Sequence, residues 1–481
     1  MYNGVFLLFG ATGDLAFKKL LPAFYFLDIQ NKLENCFYIV CIGRKKYSNE
    51  EYCNLIKSKF EEDNVDFCDS DFNRFKNRIY YFNLNFENIN DYFKLKNFIE
   101  SSSLDLCTQN NLIYYLATPP KYFKVIPILL KKSKLNSISK TKKIIIEKPF
   151  GKDLNSAKMY NTIINEEFSE KEIFRIDHYL GKQMIQNIMI LRFTNPIFEN
   201  ILNSKFVDNI QIHVSESVGV LTRGNYYEHS GALKDMVQNH ILQIISLICM
   251  DEPLSLSTKD IRDQKLKILQ DIKLYNENNP LKNIVIGQYD ESKKHISYVD
   301  EYNVDNNSLT ETFVSLKLKV QNKRWQNTPI YIRTGKGLDK KYANVIIELK
   351  NNNRLYNISK SNIFVIQIQP KEGMSLEFNT KIPSTQINIE KQHMEFCQNC
   401  NIKDRSPQAY EKLLLDALNN DQSLYTRWDE IESEWSFIDN ISNLLDFDYR
   451  KKYLQKYEFG SLGPEKSFLL IENDNKKWLF K

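Results

Sequence analysis

Hydrophobic positions change their spacing once along this chain. In the first part, short unbroken apolar runs alternate with stretches of helical period. Val5–Phe9, Phe37–Ile42, Ile79–Asn83, Leu112–Ala117, Lys143–Ile146 and Glu172–Ile176 read as strands. Lys18–Leu33, Glu50–Phe60, Phe93–Ser101, Tyr122–Lys131 and Ser156–Glu166 read as helices, the first with Pro22 in its opening turns. Strands that are apolar on both faces and alternate with helices predict a parallel sheet covered on both sides. Farther along the spacing becomes two. Val207–Glu216, Leu309–Val320, Pro329–Thr334, Asn344–Lys350 and Ile363–Gln369 alternate apolar with polar residues. Asn351-Asn352-Asn353 falls between two such runs and predicts a hairpin turn. Helices are expected at Gly231–Met250, long and apolar, and at Gln408–Leu418. This pattern predicts an antiparallel sheet with one covered face.

Composition narrows the class. The 481 residues suffice for two or three domains. With 42% hydrophobic and 26% charged residues the chain is not disordered. A net charge of +5 over this length does not mark a nucleic-acid binder. No apolar run approaches the roughly 20 residues of a membrane span. Val5–Phe9 is cut short by Gly10, Gly13 and Asp14, so it reads as neither anchor nor signal peptide. The eight cysteines, several in strand-like runs, read as reduced packed thiols, which points to a cytoplasmic location. Cys397 and Cys400 form one CxxC with His393 upstream; without further ligands they read as incidental thiols.

Six segments carry candidate chemistry. Gly10-Ala11-Thr12-Gly13-Asp14-Leu15-Ala16 follows a strand and opens a helix, the context of a dinucleotide fingerprint. Gly10 permits the tight turn, Gly13 lets backbone approach a pyrophosphate, and Ala16 is small where helix packs on strand. Free N–H groups at the helix start would face the phosphates. Arg44 and Lys45 follow the second strand, where an NAD enzyme usually places a carboxylate; a guanidinium there suits a 2′-phosphate and favours NADP. Glu147-Lys148-Pro149-Phe150-Gly151 puts a Lys at the carboxyl end of a buried strand, and Lys-Pro there suits a cis bond. In Arg175-Ile176-Asp177-His178-Tyr179-Leu180-Gly181-Lys182, Asp177 is placed to cap a helix. His178 and Lys182 would then share one helical face and, with Tyr179, make a phosphate socket. The helix from Gly231 carries Asp235, Asn239 and His240, and His is the usual general base near neutral pH. Finally, Thr334-Gly335-Lys336-Gly337 ends a strand in a Gly-flanked Lys, with Lys340 and Lys341 beyond.

Taken together, GATGDLA, EKPFG, RIDHYLGK, the GALKDMVQNH helix, RTGKGL and the terminal GSLGP closely resemble the glucose-6-phosphate dehydrogenase family, in the family's order. AYEKLL from Ala409 and TRWDE from Thr426 agree as well. The resemblance implies a Rossmann-like NADP-binding domain over 1–177 and an α+β domain over 178–481 for substrate binding and dimerisation. It implies oxidation of glucose 6-phosphate to 6-phosphogluconolactone with hydride transfer to NADP, the first step of the oxidative pentose phosphate pathway, without a metal. It implies that His240 is the general base and that Asp177 orients it. His178, Tyr179, Lys182 and Lys341 would hold the substrate phosphate. Lys148 would contact the sugar near the nicotinamide, and Glu216, Asp235, Lys336 and Gln369 would touch the sugar or its pocket. Gly10, Thr12, Gly13, Asp14 and Leu15 would line the pyrophosphate turn, and Arg44 the 2′-phosphate. A homodimer or homotetramer is implied, and neither nucleic acid nor membrane as partner. Lys234 and Leu462 stand where the family usually has Arg and Trp.

Two other readings fit parts of the pattern. A Gfo/Idh/MocA-like sugar oxidoreductase shares the Glu147-Lys148-Pro149 motif, but its unphosphorylated substrates would leave His178, Lys182 and Lys341 unpaired. A catalytically silent NADP-binding regulator would be expected to have lost His240 or Asp177, and both are present.

Overall fold

The computed structural model describes residues 2–102, 104, 107, 111–351, 361–383, 385, 387–398 and 405–480. The chain forms two compact units. The first comprises Met1–Gly181 with two pieces from later in the chain, Ser257–Lys259 and Pro407–Glu432. The second comprises Lys182–Leu256, Asp260–Ser406 and Ser433–Lys481.

The first unit is built on six strands: β1 (Tyr2–Phe9), β2 (Leu33–Gly43), β3 (Ile79–Asn83), β4 (Leu112–Leu116), β5 (Lys142–Ile146) and β6 (Ile173–Ile176). They lie in the order 6-5-4-1-2-3, all parallel, and the short strand Tyr425–Thr426 adds antiparallel to β6. Val5–Phe9 are fully buried between β2 and β4, which is why that run shows no alternation. The chain winds outward from β1 to β3 and then returns to the other side of β1. The point of reversal lies between β1 and β4, where ligands enter such sheets at the carboxyl ends of the strands.

Most predicted elements recur with shifted ends. The first helix is the largest displacement. It runs through a π-wound turn, Ala16–Leu20, into Leu21–Ile29, and stops there because Asn31 adopts left-handed φ of 54°. Leu33, expected in that helix, begins β2. A helix at Asp69–Phe75 escapes the periodicity pattern, being two turns long with only Phe72 and Phe75 buried. The helix Ala409–Leu418 packs in the first unit, where the Lys143 ammonium donates to the Ala417 and Leu418 carbonyls at its end. Burial pushes that ammonium down to about 8.

The reading of all cysteines as thiols needs correction. Cys36 and Cys107 are joined in a disulfide, their Cα atoms 5.6 Å apart across 71 residues of sequence. Cys397 is disulfide-bonded too, whereas Cys400 lies outside the described residues, as do Asn352 and Asn353 of the expected hairpin turn. Cys41, Cys53 and Cys249 are buried and free.

The second unit holds a larger sheet with nine strands β7 (Val207–Ser215), β8 (Ile272–Leu274), β9 (Ile284–Asp290), β10 (Phe313–Val320), β11 (Ile330–Gly335), β12 (Tyr342–Leu349), β13 (Ile363–Gln369), β14 (Gly373–Lys381) and β15 (Ile389–Cys397), plus Gln455–Glu458. Pairing is mainly antiparallel; β7 with β11, and Gln455–Glu458 with β9, are parallel. Among the described residues, no helix is long and apolar enough to cross a membrane.

Next to each other on β7 and β11 lie His213 and Arg333, both almost wholly buried. The Arg333 guanidinium sits 5.0–5.7 Å from the ring centres of Phe313, Phe468, Trp478 and Phe480. Neither His213 nitrogen has a hydrogen-bond partner among the described residues. Burial, then the Arg333 charge, pushes this imidazole down to about 3. The unfolded chain therefore binds a proton below about pH 6.5 that the folded chain refuses until about pH 3. Stability conferred by the neutral ring is present above that upper value and is lost as pH falls, by up to about 1.4 kcal/mol per pH unit. His213→Phe should flatten the fall in denaturation midpoint between pH 6.5 and 4 relative to wild type; parallel curves would refute this account.

Candidate active site

In the first unit the candidate residues collect at the carboxyl ends of the parallel strands. After β1 the chain turns sharply at Gly10, whose φ is +90°. The N–H groups of Gly10 and Ala11 both donate to Ile42 O at 3.0 Å, and Gly13 N–H returns to Gly10 O at 3.0 Å. A Cβ on Gly10 would lie 2.2 Å from Ala117 O at the end of β4, so the reversal point closes only with glycine there. At Gly13 a Cβ would meet only Gly10 O, at 3.2 Å; Gly13 and Asp14 are exposed, while Thr12 and Leu15 are half-buried. The turn thus leaves backbone open to a pyrophosphate.

Sequence reading misses the groups that hold this turn. The buried Tyr52 hydroxyl donates to Ala11 O at 2.7 Å. The exposed Arg44 leaves β2 on a loop tied from β3: Asn83 Nδ2 donates to Arg44 O and Lys45 O at 2.9 Å each, and the Tyr81 hydroxyl to Lys45 O at 2.6 Å. Tyr81 and Asn83 stand at the end of the third strand, a position that could have signalled their place beside the second. Gly43 closes against the same turn, since its Cβ would fall 2.5 Å from the Tyr81 hydroxyl and 3.0 Å from Thr12.

Lys148 follows β5, half-buried, and its bond to Pro149 is cis. Asp177 follows β6 and is 2% exposed. The expectation that Asp177 caps a helix is corrected: residues after Ile176 form a turn, in which Asp177 Oδ1 accepts from Tyr179 N–H at 2.9 Å. The helix begins only at Gln183, with Lys182 at its N-cap. His178 and Lys182 therefore do not share a helical face. At Gly181 the chain passes close to the helix Ala409–Leu418: a Cβ there would meet Ala409 O at 2.8 Å and the Leu413 side chain at 2.9 Å. The His178 and Tyr179 rings meet edge to face at 5.3 Å. Behind them the buried Arg175 pairs with Glu170 at 2.6 Å and bonds Asn161.

In the second unit the candidates gather at one end of the large sheet. Glu216 follows β7, Lys336 follows β11, Lys341 precedes β12 and Gln369 ends β13. Their strand directions place all four at the same edge. The Lys336 ammonium pairs with the Glu216 carboxylate and lies 5.2 Å from the Tyr227 ring centre. The Lys182 ammonium donates to the Gln369 amide oxygen. Lys341 is exposed.

Asp235 and His240 ride on the predicted long helix, which is π-wound over Leu233–Ile241 before continuing as α to Cys249. In an α-helix, residues five apart diverge by about 140°. The wider turn of a π-helix narrows that angle, which brings Asp235 and His240 closer to one face. Both are buried, at 5% and 1% exposure. Asp235 accepts from the Tyr226 hydroxyl at 3.2 Å. Glu434, which no local pattern singles out, holds the helix through Gln238 at 3.2 Å and Gln243 at 2.6 Å.

Comparison with known proteins agrees from end to end. Residues 7–187 match the family described as "Glucose-6-phosphate dehydrogenase, NAD binding domain", and residues 189–479 match "Glucose-6-phosphate dehydrogenase, C-terminal domain". The chain is 38% identical to a glucose-6-phosphate 1-dehydrogenase of Bacillus subtilis, covering 99% of this chain and 98% of the relative. It is 38% identical to that of Buchnera aphidicola subsp. Baizongia pistaciae, covering 98% and 97%. A solved glucose-6-phosphate dehydrogenase in complex with its substrate glucose 6-phosphate superposes with a TM-score of 0.91 at 30% identity, over 100% of this chain and 99% of that one. With both halves matched and these relatives spanned almost completely, the chain belongs to the glucose-6-phosphate dehydrogenase family.

Proposed function

We propose that the chain oxidises glucose 6-phosphate at C1 to 6-phosphogluconolactone, with NADP as hydride acceptor. The observation that carries this reading is the survival, in a chain matched by both family domains, of every residue type the reaction needs. The turn from Gly10 through Thr12 and Gly13 to Asp14 and Leu15 suits a pyrophosphate, since its one open glycine faces outward. Arg44 suits the 2′-phosphate, because no carboxylate on its loop repels one. When bound, the nicotinamide supplies the hydride acceptor.

The chain's own groups do the rest. His240 takes the proton from the C1 hydroxyl, and its burial keeps water from competing for that role. Asp177 is the carboxylate that orients the base and balances the charge it acquires. His178, Tyr179, Lys182 and Lys341 bind the phosphate through charge-assisted hydrogen bonds. Glu216, Asp235, Lys336 and Gln369 bind the sugar hydroxyls, and Lys148 lies between sugar and nicotinamide. Residues 1–177 are the dinucleotide-binding part and residues 178–481 the part for substrate binding and dimerisation. A cytoplasmic homodimer or homotetramer belongs to the same proposal. Strand β15 supports assembly, for it is a largely exposed edge strand with Met394 and Phe396 at 62% and 50% exposure.

Initial rates of nicotinamide reduction test this directly, with glucose 6-phosphate or glucose paired with NADP or NAD. Reduction should require the phosphorylated sugar and prefer NADP, and Arg44→Ala should raise KM for NADP about tenfold or more with little change for NAD. Preference for free glucose would favour an unphosphorylated-sugar oxidoreductase instead. His240→Ala should lower kcat by about 10²–10⁴ while both ligands still bind. Lys182→Ala should lower kcat/KM for glucose 6-phosphate by about 10- to 100-fold and leave free glucose nearly unaffected; equal losses would remove Lys182 from the phosphate site.

A further inference from the structure

Glu147 stands between β5 and Lys148, and its surroundings are costly for a strand end. The residue is 8% exposed. Tyr115 on β4 donates its hydroxyl to Glu147 Oε1 at 2.5 Å, and Tyr410, opening the helix Ala409–Leu418, donates to the same oxygen at 3.0 Å. The Lys148 backbone N–H and ammonium also favour the charged carboxylate. Burial works the other way and prevails, pushing the carboxyl up. Tyr115 is fully buried and Tyr410 nearly so. Closing a strand needs no charge, and an apolar residue in this place would avoid the desolvation penalty. Two tyrosine hydroxyls face the carboxylate, Tyr115 and Tyr410, while that of Tyr425, on the antiparallel edge strand, feels its charge but donates to Leu413 O. Lys148 faces it from its own segment, and the Tyr410 hydroxyl also feels the charge of Asp177. The clamp therefore lies between two residues assigned to the reaction and touches the backbone of one.

We propose that Glu147 is a positioning residue for the reaction, a buried carboxylate gripped by Tyr115 and Tyr410 that fixes the direction in which Lys148 leaves the sheet. This rests on the reading that Lys148 contacts the sugar beside the nicotinamide. A lysine stem has four rotatable bonds, so its ammonium is placed only as well as its backbone is held. Misplacement by about 1 Å costs up to about a hundredfold in rate.

The test uses the full chain, with dinucleotide affinity by fluorescence, thermal midpoint, and kcat and KM across pH. Glu147→Gln, which keeps volume and one acceptor, should lower kcat about tenfold or more, with KM for the sugar phosphate within about threefold and dinucleotide affinity within about twofold. Tyr115→Phe removes one donor to the charged form, so the carboxyl should protonate more easily. Its acid limb of kcat should move to higher pH by about half a unit or more. A role confined to stability would move the thermal midpoint and leave that limb in place. If Glu147→Gln does not fold, Tyr115→Phe decides. A kcat within twofold of wild type in a folded Glu147→Gln, or an unmoved acid limb in Tyr115→Phe, overturns the proposal. Lys148→Ala separates the two readings: wild-type kinetics there would remove Lys148 from the site, whereas a crippled Lys148→Ala beside a normal Glu147→Gln would remove only the clamp.

Discussion

Burial of β1 on both faces sets the terms for the first unit. Val5–Phe9 offer no polar side chain, so the strand is stable only with a neighbour on each side and helices above and below. The parallel pairings to β2 and β4 meet that need, and they place the point of chain reversal at the end of β1. There two loops must pass within van der Waals distance, and Gly10 against Ala117 is the contact that permits it. The turns bearing Arg44, Lys148 and Asp177 follow from the same arrangement, because each leaves a parallel strand at its carboxyl end. Chemistry in this unit is thus a by-product of how an apolar strand is covered.

The second unit solves a different problem. Its sheet is mainly antiparallel, so strand ends of opposite chain direction can meet at one edge. Glu216, Lys336 and Gln369 come from strand ends, and Lys341 from a strand start. The Lys336–Glu216 pair is partly buried, where an ammonium without a carboxylate would be costly. Its value lies in fixing two side chains at one end of the sheet more than in stability.

The apolar framework and the motif residues are legible in the sequence, because both depend on local pattern. Strand Ile363–Gln369 and strand Ile79–Asn83 are predicted with their observed bounds, each being a short run with clear flanks. The first helix is misplaced because apolar residues continue through Leu33, and only the left-handed turn at Asn31 divides helix from strand. The expected face shared by His178 and Lys182 fails because it assumes helical spacing where the chain turns after Ile176 and becomes helical only at Gln183. The disulfide between Cys36 and Cys107 is invisible, since pairing across 71 residues leaves no local mark. Tyr52, Asn83 and Glu434 are missed for the same reason: each supports a candidate segment from a distant part of the chain.

The π-wound stretch Leu233–Ile241 has a consequence for how this chain can vary. A π turn holds more residues than an α turn at the same advance, so its existence depends on residue number as much as residue kind. Substitutions that keep helix propensity leave the winding alone. Deleting one residue lets the segment relax into ordinary α-helix: lost between Asp235 and His240, it leaves the pair four apart and still on one face, whereas lost outside that interval it leaves them five apart and about 140° round the axis. In the second case the helix would survive while Asp235 and His240 ceased to share a face. Where a residue is gained or lost in this stretch therefore matters as much as which residues fill it.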